Sequence, residues 1–242
     1  MRKLVAIIAV AFIFSGAAKA QHNVKSTTYL TLPNFCPTPD AYAVAPDGSL
    51  TLSCPNYAEK NVPGALVKIT EDKKVKLLTT IAGIDNKGFG APMGIAYGPD
   101  GGLYVCVNQG KNRGRVLKLT FKDDKLITTE VIAKGMQAPN GIRYHNNALY
   151  VTQPILDKLK TDKSVGGVYK FSTTDREVLV NNDRTDKQLI FSVETKNPKR
   201  QFGLDGIAFN TKGELFVGDF GDAVIYRLEQ NAQGDIVNHS VY

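Results

Sequence analysis

Tryptophan is absent from this 242-residue chain, and histidine, cysteine and methionine occur only three times each. His22, His145 and His239 are dispersed, which argues against a histidine-built metal centre. Cys36, Cys54 and Cys106 show no C-x-x-C spacing, so zinc and dithiol motifs are excluded. No G-x-S-x-G elbow, H-E-x-x-H helix or phosphate-cradling P-loop is present. Gly88-Phe89-Gly90 opens no helical pattern and reads as a loop. Convincing helical periodicity is missing after residue 20, apart from room for one short turn within Pro154–Lys163. Beyond the N-terminus there is also no apolar run able to span ~30 Å of hydrocarbon.

The first 20 residues do carry a pattern of their own. Arg2 and Lys3 precede an apolar stretch from Leu4 to Phe14, and Ala18-Lys19-Ala20 supplies small residues around a cleavage point. That is the layout of a secretory signal peptide, too short for a membrane span. The expected location is periplasmic or secreted, with residues 21–242 forming one domain. Loss of Arg2, Lys3 and Lys19 lowers the net charge from +7 to +4, an ordinary surface that predicts neither nucleic-acid nor membrane binding. An oxidising compartment permits one disulfide, for which Cys36 and Cys54 are the expected pair, with Cys106 a buried strand residue.

What the remaining chain does contain is one phrase stated four times. The copies are PDAYAVAPDGSLTLS from Pro39, PMGIAYGPDGGLYVC from Pro92, PNGIRYHNNALYVT from Pro139 and LDGIAFNTKGELFVG from Leu204. Each is two alternating runs joined by a turn rich in Gly, Asn or Asp, which predicts a β-hairpin. A third strand follows each hairpin (GALVKIT, GRVLKLT, GGVYKFS, AVIYRLE), then a weaker fourth at Val75–Ile81, Leu126–Ala133, Gln188–Val193 and Ile236–Tyr242. Four antiparallel strands recurring every ~50 residues predict an all-β fold, a β-propeller with four visible blades. Val24–Leu32 is expected to be a further outer strand completing a blade from the chain's far end. Since the fourth copy already has its own outer strand, the count predicts a C-terminally truncated ring. The competing reading is a closed four-bladed ring with a spare edge strand.

The first strand of a propeller blade lines the central channel, so equivalent positions form a ring. Asp40, Met93, Asn140 and Asp205 occupy one such column, and Gly94, Gly141 and Gly206 follow three of them. Two carboxylates and an amide oxygen suit a hard cation, with Ca²⁺ the expected divalent ion. Asp40, Asn140 and Asp205 are the candidate ligands. The other reading makes them turn-starting residues that bond nearby backbone. Both stand at this point.

The copies at Pro139 and Leu204, PNGIRYHNNALYVTQ and LDGIAFNTKGELFVGDFGDAVIYRL, resemble blades of the gluconolactonase, regucalcin and luciferin-regenerating-enzyme family. The resemblance covers roughly Pro39 to Leu228. It implies a six-bladed propeller with a divalent metal in the channel. Asn140 and Asp205 match the family's Asn-Gly and Asp-Gly ligands, and Asp205 would inherit the role of general base in lactone opening. Asp40 stands where the family usually has Glu, and Met93 where it usually has a polar substrate contact. The hairpins also resemble those of NHL-repeat propellers, which often bind partners without catalysis.

The loops after each second strand should open on the same mouth as the column. Tyr57, Gln109, Gln153 and Asp219, with Met93, are the candidate substrate contacts. Basic residues from Lys111 to Arg200 on these loops suit an anionic or sugar-derived small molecule. Two functions follow: a metal-dependent lactonase-like hydrolase, or a non-catalytic propeller holding a protein or small ligand at its mouth.

Overall fold

The computed structural model describes residues 25–59, 61–84, 88–160, 162–200 and 202–242. The predicted signal peptide lies outside the described residues. Residues 32–242 make one compact unit of four sheets, a β-propeller. Among the described residues no helix is long and apolar enough to cross a membrane.

Blade 1 comprises β1 (Tyr42–Val44), β2 (Leu50–Cys54), β3 (Ala65–Ile69) and β4 (Val75–Thr80). Blade 2 comprises β5 (Ala91–Tyr97), β6 (Leu103–Asn108), β7 (Gly114–Lys122) and β8 (Lys125–Met136). Blade 3 holds β9 (Ile142–His145), β10 (Ala148–Gln153), β11 (Val165–Ser172) and β13 (Leu189–Glu194), with β12 (Val178–Leu179) lying between the last two in sequence. Blade 4 holds β14 (Leu204–Phe209), β15 (Leu215–Asp219), β16 (Val224–Gln230) and β17 (Ile236–Val241). Within each blade successive strands pair antiparallel, as the repeated hairpins predict. β12 is the exception: it leaves blade 3 and pairs parallel with β8, adding a fifth strand to blade 2.

Alternation along β10 shows how the blades cohere. Leu149 and Val151 enter the core between blades 2 and 3, while Ala148 and Tyr150 enter the one between blades 3 and 4. Successive side chains of a strand point to opposite faces, so a blade sandwiched on both sides is buried throughout. A third core, around Leu66, Ile95, Val105 and Leu117, joins blades 1 and 2. Contacts run from each blade to the next in chain order. Tyr42 and Val44 on blade 1, and Ile225 and Val241 on blade 4, stay exposed.

Cys36 and Cys54 form the expected disulfide, and Cys106 is a buried free thiol. The turn expected within Pro154–Lys163 is a 3-10 helix at Asp157–Leu159. One strand expectation fails: residues 25–32 carry no strand. An alternating run becomes a strand only against a hydrogen-bonding edge, and none of the described pairings offers one to this segment.

Candidate functional site

All four inner strands begin with the same irregularity, and it falls on the predicted column. In blade 2 three residues from Pro92 to Ile95 advance against two from Val107 to Val105, and in blade 4 three from Leu204 to Ile207 advance against two from Asp219 to Val217. In blade 1 the Asp40 N–H donates to the Ser53 carbonyl while the Ser53 N–H donates to Ala41. Blade 3 repeats this with Asn140, Thr152 and Gly141. A β-bulge thus sits at Asp40, Met93, Asn140 and Asp205, re-aiming the side chain at the end of each inner strand. The column is legible in the sequence, whereas the bulge shows only in the cross-strand register.

Hydrogen bonds then tie neighbouring blades together at the column. The Gly94 N–H donates to the Asn140 carbonyl at 3.0 Å, and the Thr152 hydroxyl donates to the Asp205 carbonyl at 2.5 Å. The glycines have unequal roles. A Cβ on Gly94 would collide with the Asn140 carbonyl and the Ile142 nitrogen, and one on Gly141 with the Asp205 carbonyl. Gly206 has nothing within 4 Å, so close packing does not explain it. Gly94→Ala is therefore expected to cost about 1–3 kcal/mol by overpacking. Gly206→Ala should stay within about 0.5 kcal/mol of the parent. Denaturant melts of both check this, and equal shifts would refute the inter-blade role of Gly94.

Asp40 and Asp205 face each other electrostatically. Burial, and then the Asp205 carboxylate, raise the pKa of Asp40, while burial raises that of Asp205. Among the described residues neither carboxylate makes a side-chain hydrogen bond, nor does the Asn140 amide, so their oxygens remain available. Turn-starting residues of the alternative reading would have spent them on nearby backbone. Chemically this donor set fits a hard cation in kind, with waters or a ligand needed to complete six to eight positions. Among the described residues no group of three or more His, Cys, Asp or Glu is placed to hold a metal, so a cation here would need the Asn140 amide as its third protein donor.

Tyr57 completes this mouth. Its hydroxyl donates to the Met93 sulfur at 2.8 Å, across blades 1 and 2. The residue is 55% exposed overall, but desolvation at its hydroxyl end, then the Asp40 and Asp205 charges, push its pKa up to about 12 against a lowering bond from Asn108, leaving a neutral phenol donor. Met93 is buried and occupies the column where a polar contact would otherwise project. Gln109 accepts from the Ile84 N–H and lines a groove of about 550 Å³ with Tyr57, Phe89 and Arg113. Asp219 is buried and lines a shallow pocket together with Asp205 and Phe220, and burial raises its pKa. Its Oδ1 accepts from the Asp222 N–H, which shapes the loop after β15.

Gln153 corrects the sequence expectation of a substrate contact. It is fully buried, accepts from the Ala138 N–H and donates to Asn182, which in turn donates to the Gly135 carbonyl. Its amide fastens the segment around Asn182 between blades 2 and 3. The basic rim is also partly occupied: Lys158 pairs with Asp183 at 3.5 Å and Arg200 lies over the Phe220 ring.

No protein-family model matches the chain, and no curated protein matches it by sequence. Solved structures do match. A glucose dehydrogenase is 16% identical with a TM-score of 0.56, over 83% of this chain and 69% of the other. A virginiamycin B lyase from Staphylococcus aureus, solved as an inactive variant with quinupristin, is 20% identical at 0.53, over 87% and 57%. A luciferin-regenerating enzyme is 19% identical at 0.50, over 84% and 59%. The chain spans a little over half the length of the lyase, of the luciferin-regenerating enzyme and of the gluconolactonases that also match. Three chemistries on one scaffold mean that the fold alone selects none of them. The fold of this chain is that of a β-propeller, similar to those of the glucose dehydrogenase, the lyase and the luciferin-regenerating enzyme.

Proposed function

We propose that this protein is an exported, metal-dependent hydrolase that opens a lactone or a related ester. The observation that carries the reading is the set of bulged strand ends, which leave the oxygens of Asp40, Asn140 and Asp205 unspent at one mouth. Those three residues would hold a divalent cation, Ca²⁺ in the first instance, which polarises a carbonyl when bound. Asp205, with its raised pKa, accepts the proton of the attacking water as the oxygen bonds to the acyl carbon. The same proton passes to the ring oxygen when the ester C–O bond breaks. Tyr57, protonated at neutral pH, offers its O–H to a ligand oxygen once it releases Met93. The gluconolactonase-like resemblance supports a small, sugar-derived substrate.

A second reading has one observation in its favour. The Tyr57–Met93 contact closes part of the mouth with an aromatic ring and a thioether, which suits a non-catalytic propeller that binds a ligand or protein on its loops.

Cation linkage separates the two. Because the pKa values of Asp40, Asp205 and Asp219 are raised in the fold, they favour the folded state below the unfolded value of 3.8, and that stability is lost as pH rises through the raised values. A bound cation offsets this cost where Asp40 and Asp205 are ionised. Ca²⁺ should therefore raise Tm at neutral pH relative to a chelator control, and the increment should vanish on acidification through the raised carboxyl range. A lactone panel with the same chelator control should show activity only with the cation. A Tm indifferent to Ca²⁺, Mg²⁺ and Mn²⁺ at neutral pH would overturn the hydrolase reading in favour of the second.

A further inference from the structure

Directly across each bulge stands one residue of the second strand, and these residues form a column of their own. Ser53 on β2 and Thr152 on β10 bond to the bulges of blades 1 and 3. Cys106 on β6 falls between Val105 and Val107, whose partners flank Met93 and Gly94. Gly218 on β15 falls between Val217 and Asp219, whose partners flank Asp205 and Gly206. Three of the four carry a hydroxyl or thiol.

They do different work. The Ser53 hydroxyl stays within its own blade, accepting from the Ala41 N–H at 3.0 Å and donating to the Ala41 carbonyl at 3.1 Å. Cys106 reaches the next blade, its thiol 3.9 Å from the Gly141 carbonyl. Thr152 reaches furthest. Its Oγ1 accepts from the Gly141 N–H at 2.8 Å and donates to the Asp205 carbonyl at 2.5 Å. The residue is fully buried, so no water substitutes for either partner. A hydroxyl has one hydrogen to give, and here it is spent on the neighbouring blade.

We propose that Thr152 is the positioning residue of the mouth, fixing the distance between Asn140 and Asp205 through one side-chain oxygen. This rests on the reading of those two as cation ligands. Gly141 is the second residue of the blade 3 bulge, so holding its N–H sets the direction of the Asn140 side chain. Holding the Asp205 carbonyl does the same for the bulge of blade 4. Apolar packing between blades 3 and 4, through Val168, Leu204, Ile207 and Val217, holds the sheets together, and polar bonds also cross from Gly203 to Pro154 and from Gln230 to Tyr150. The Thr152 hydroxyl makes the bonds that act at the two bulges themselves.

The test uses the full chain and Ca²⁺ alone, read by calorimetry, with amide hydrogen exchange at Gly141 as a metal-free measure. Thr152→Val keeps the shape and removes both bonds. It is expected to weaken Ca²⁺ about 10–100-fold and to speed exchange at Gly141, while Thr152→Ser restores binding to within about threefold of the parent. If Thr152→Val does not fold, Thr152→Cys decides. Cys106 shows that the scaffold accepts a thiol at this level, and its weaker bonding should give an intermediate affinity. Parent-like Ca²⁺ binding in Thr152→Val, or in Thr152→Cys where it stands in, overturns the inference and leaves the ligand assignment intact. Equal weakening in Val and Ser variants overturns it too, because the hydroxyl would not be the cause. A parent protein that takes up no Ca²⁺ overturns the ligand assignment and this inference with it.

Discussion

Replacing Asp205 with alanine is expected to abolish cation uptake and lower kcat/KM by about 10²–10⁴-fold, the range associated with loss of a general base. Asp205 makes no side-chain hydrogen bond among the described residues, and its backbone carbonyl is held by Thr152 whatever side chain it carries. Truncation should therefore leave the blade in place. It also removes the charge that helps to raise the pKa of Asp40. Without cation at neutral pH, the variant should melt at or slightly above the parent temperature. A loss of function joined to unchanged or improved stability marks a residue kept for chemistry. Asp205→Asn divides the two roles: an amide oxygen can still meet a cation, but it cannot accept a proton. Weakened uptake with no activity is expected there. Full cation uptake by Asp205→Ala, measured by calorimetry, would remove Asp205 from the ligand set.

Much of this architecture is legible because period-two alternation and turn chemistry are local signals. The Pro99-Asp100-Gly101 and Asn146-Asn147 turns mark hairpins without reference to anything distant, and repetition in four copies turns hairpins into blades. The column at Asp40, Met93, Asn140 and Asp205 follows from the same repetition. What escapes is set by partners. Val24–Leu32 alternates like a strand, yet residues 25–32 have no paired edge. β12 is two residues long, too short for any period, and exists because β8 presents an edge to it. Gln153 reads as a rim residue because it ends a strand, but the Asn182 segment folds over it. Thr152 and Cys106 look like ordinary strand positions until the bulges are known, since their significance lies in which carbonyl of the next blade each faces. A sequence reports the face a side chain takes, while register between blades depends on atoms far away in the chain.

The largest stability effect is expected from the Cys36–Cys54 crosslink, which closes a loop of sequence separation 18 with Cα atoms 5.4 Å apart. Loop entropy alone places its contribution at about 3 kcal/mol. For a domain of this size that corresponds to a fall in Tm of roughly 6–12 °C. Replacing both cysteines with alanine, or reducing the parent with thiol, should give that fall. Both sulfurs are buried against Ala65 and Val67, so the paired alanine variant also loses some packing. The segment entering blade 1 has a second fastening. Asn56, buried with φ of 56°, donates to the Phe35 and Pro63 carbonyls and accepts from the Thr38 N–H. Asn56→Ala leaves those groups unpaired at a cost of about 1–3 kcal/mol. The two fastenings hold the same few residues, so their losses should not add: once the crosslink is gone, Asn56→Ala should cost less than it does in the parent. Additive losses in that double-mutant cycle would mean that the disulfide and Asn56 anchor independent parts of the entry to Asp40. A Tm unmoved by reduction would mean that Asn56 and the apolar contacts of Leu32 and Leu52 suffice by themselves.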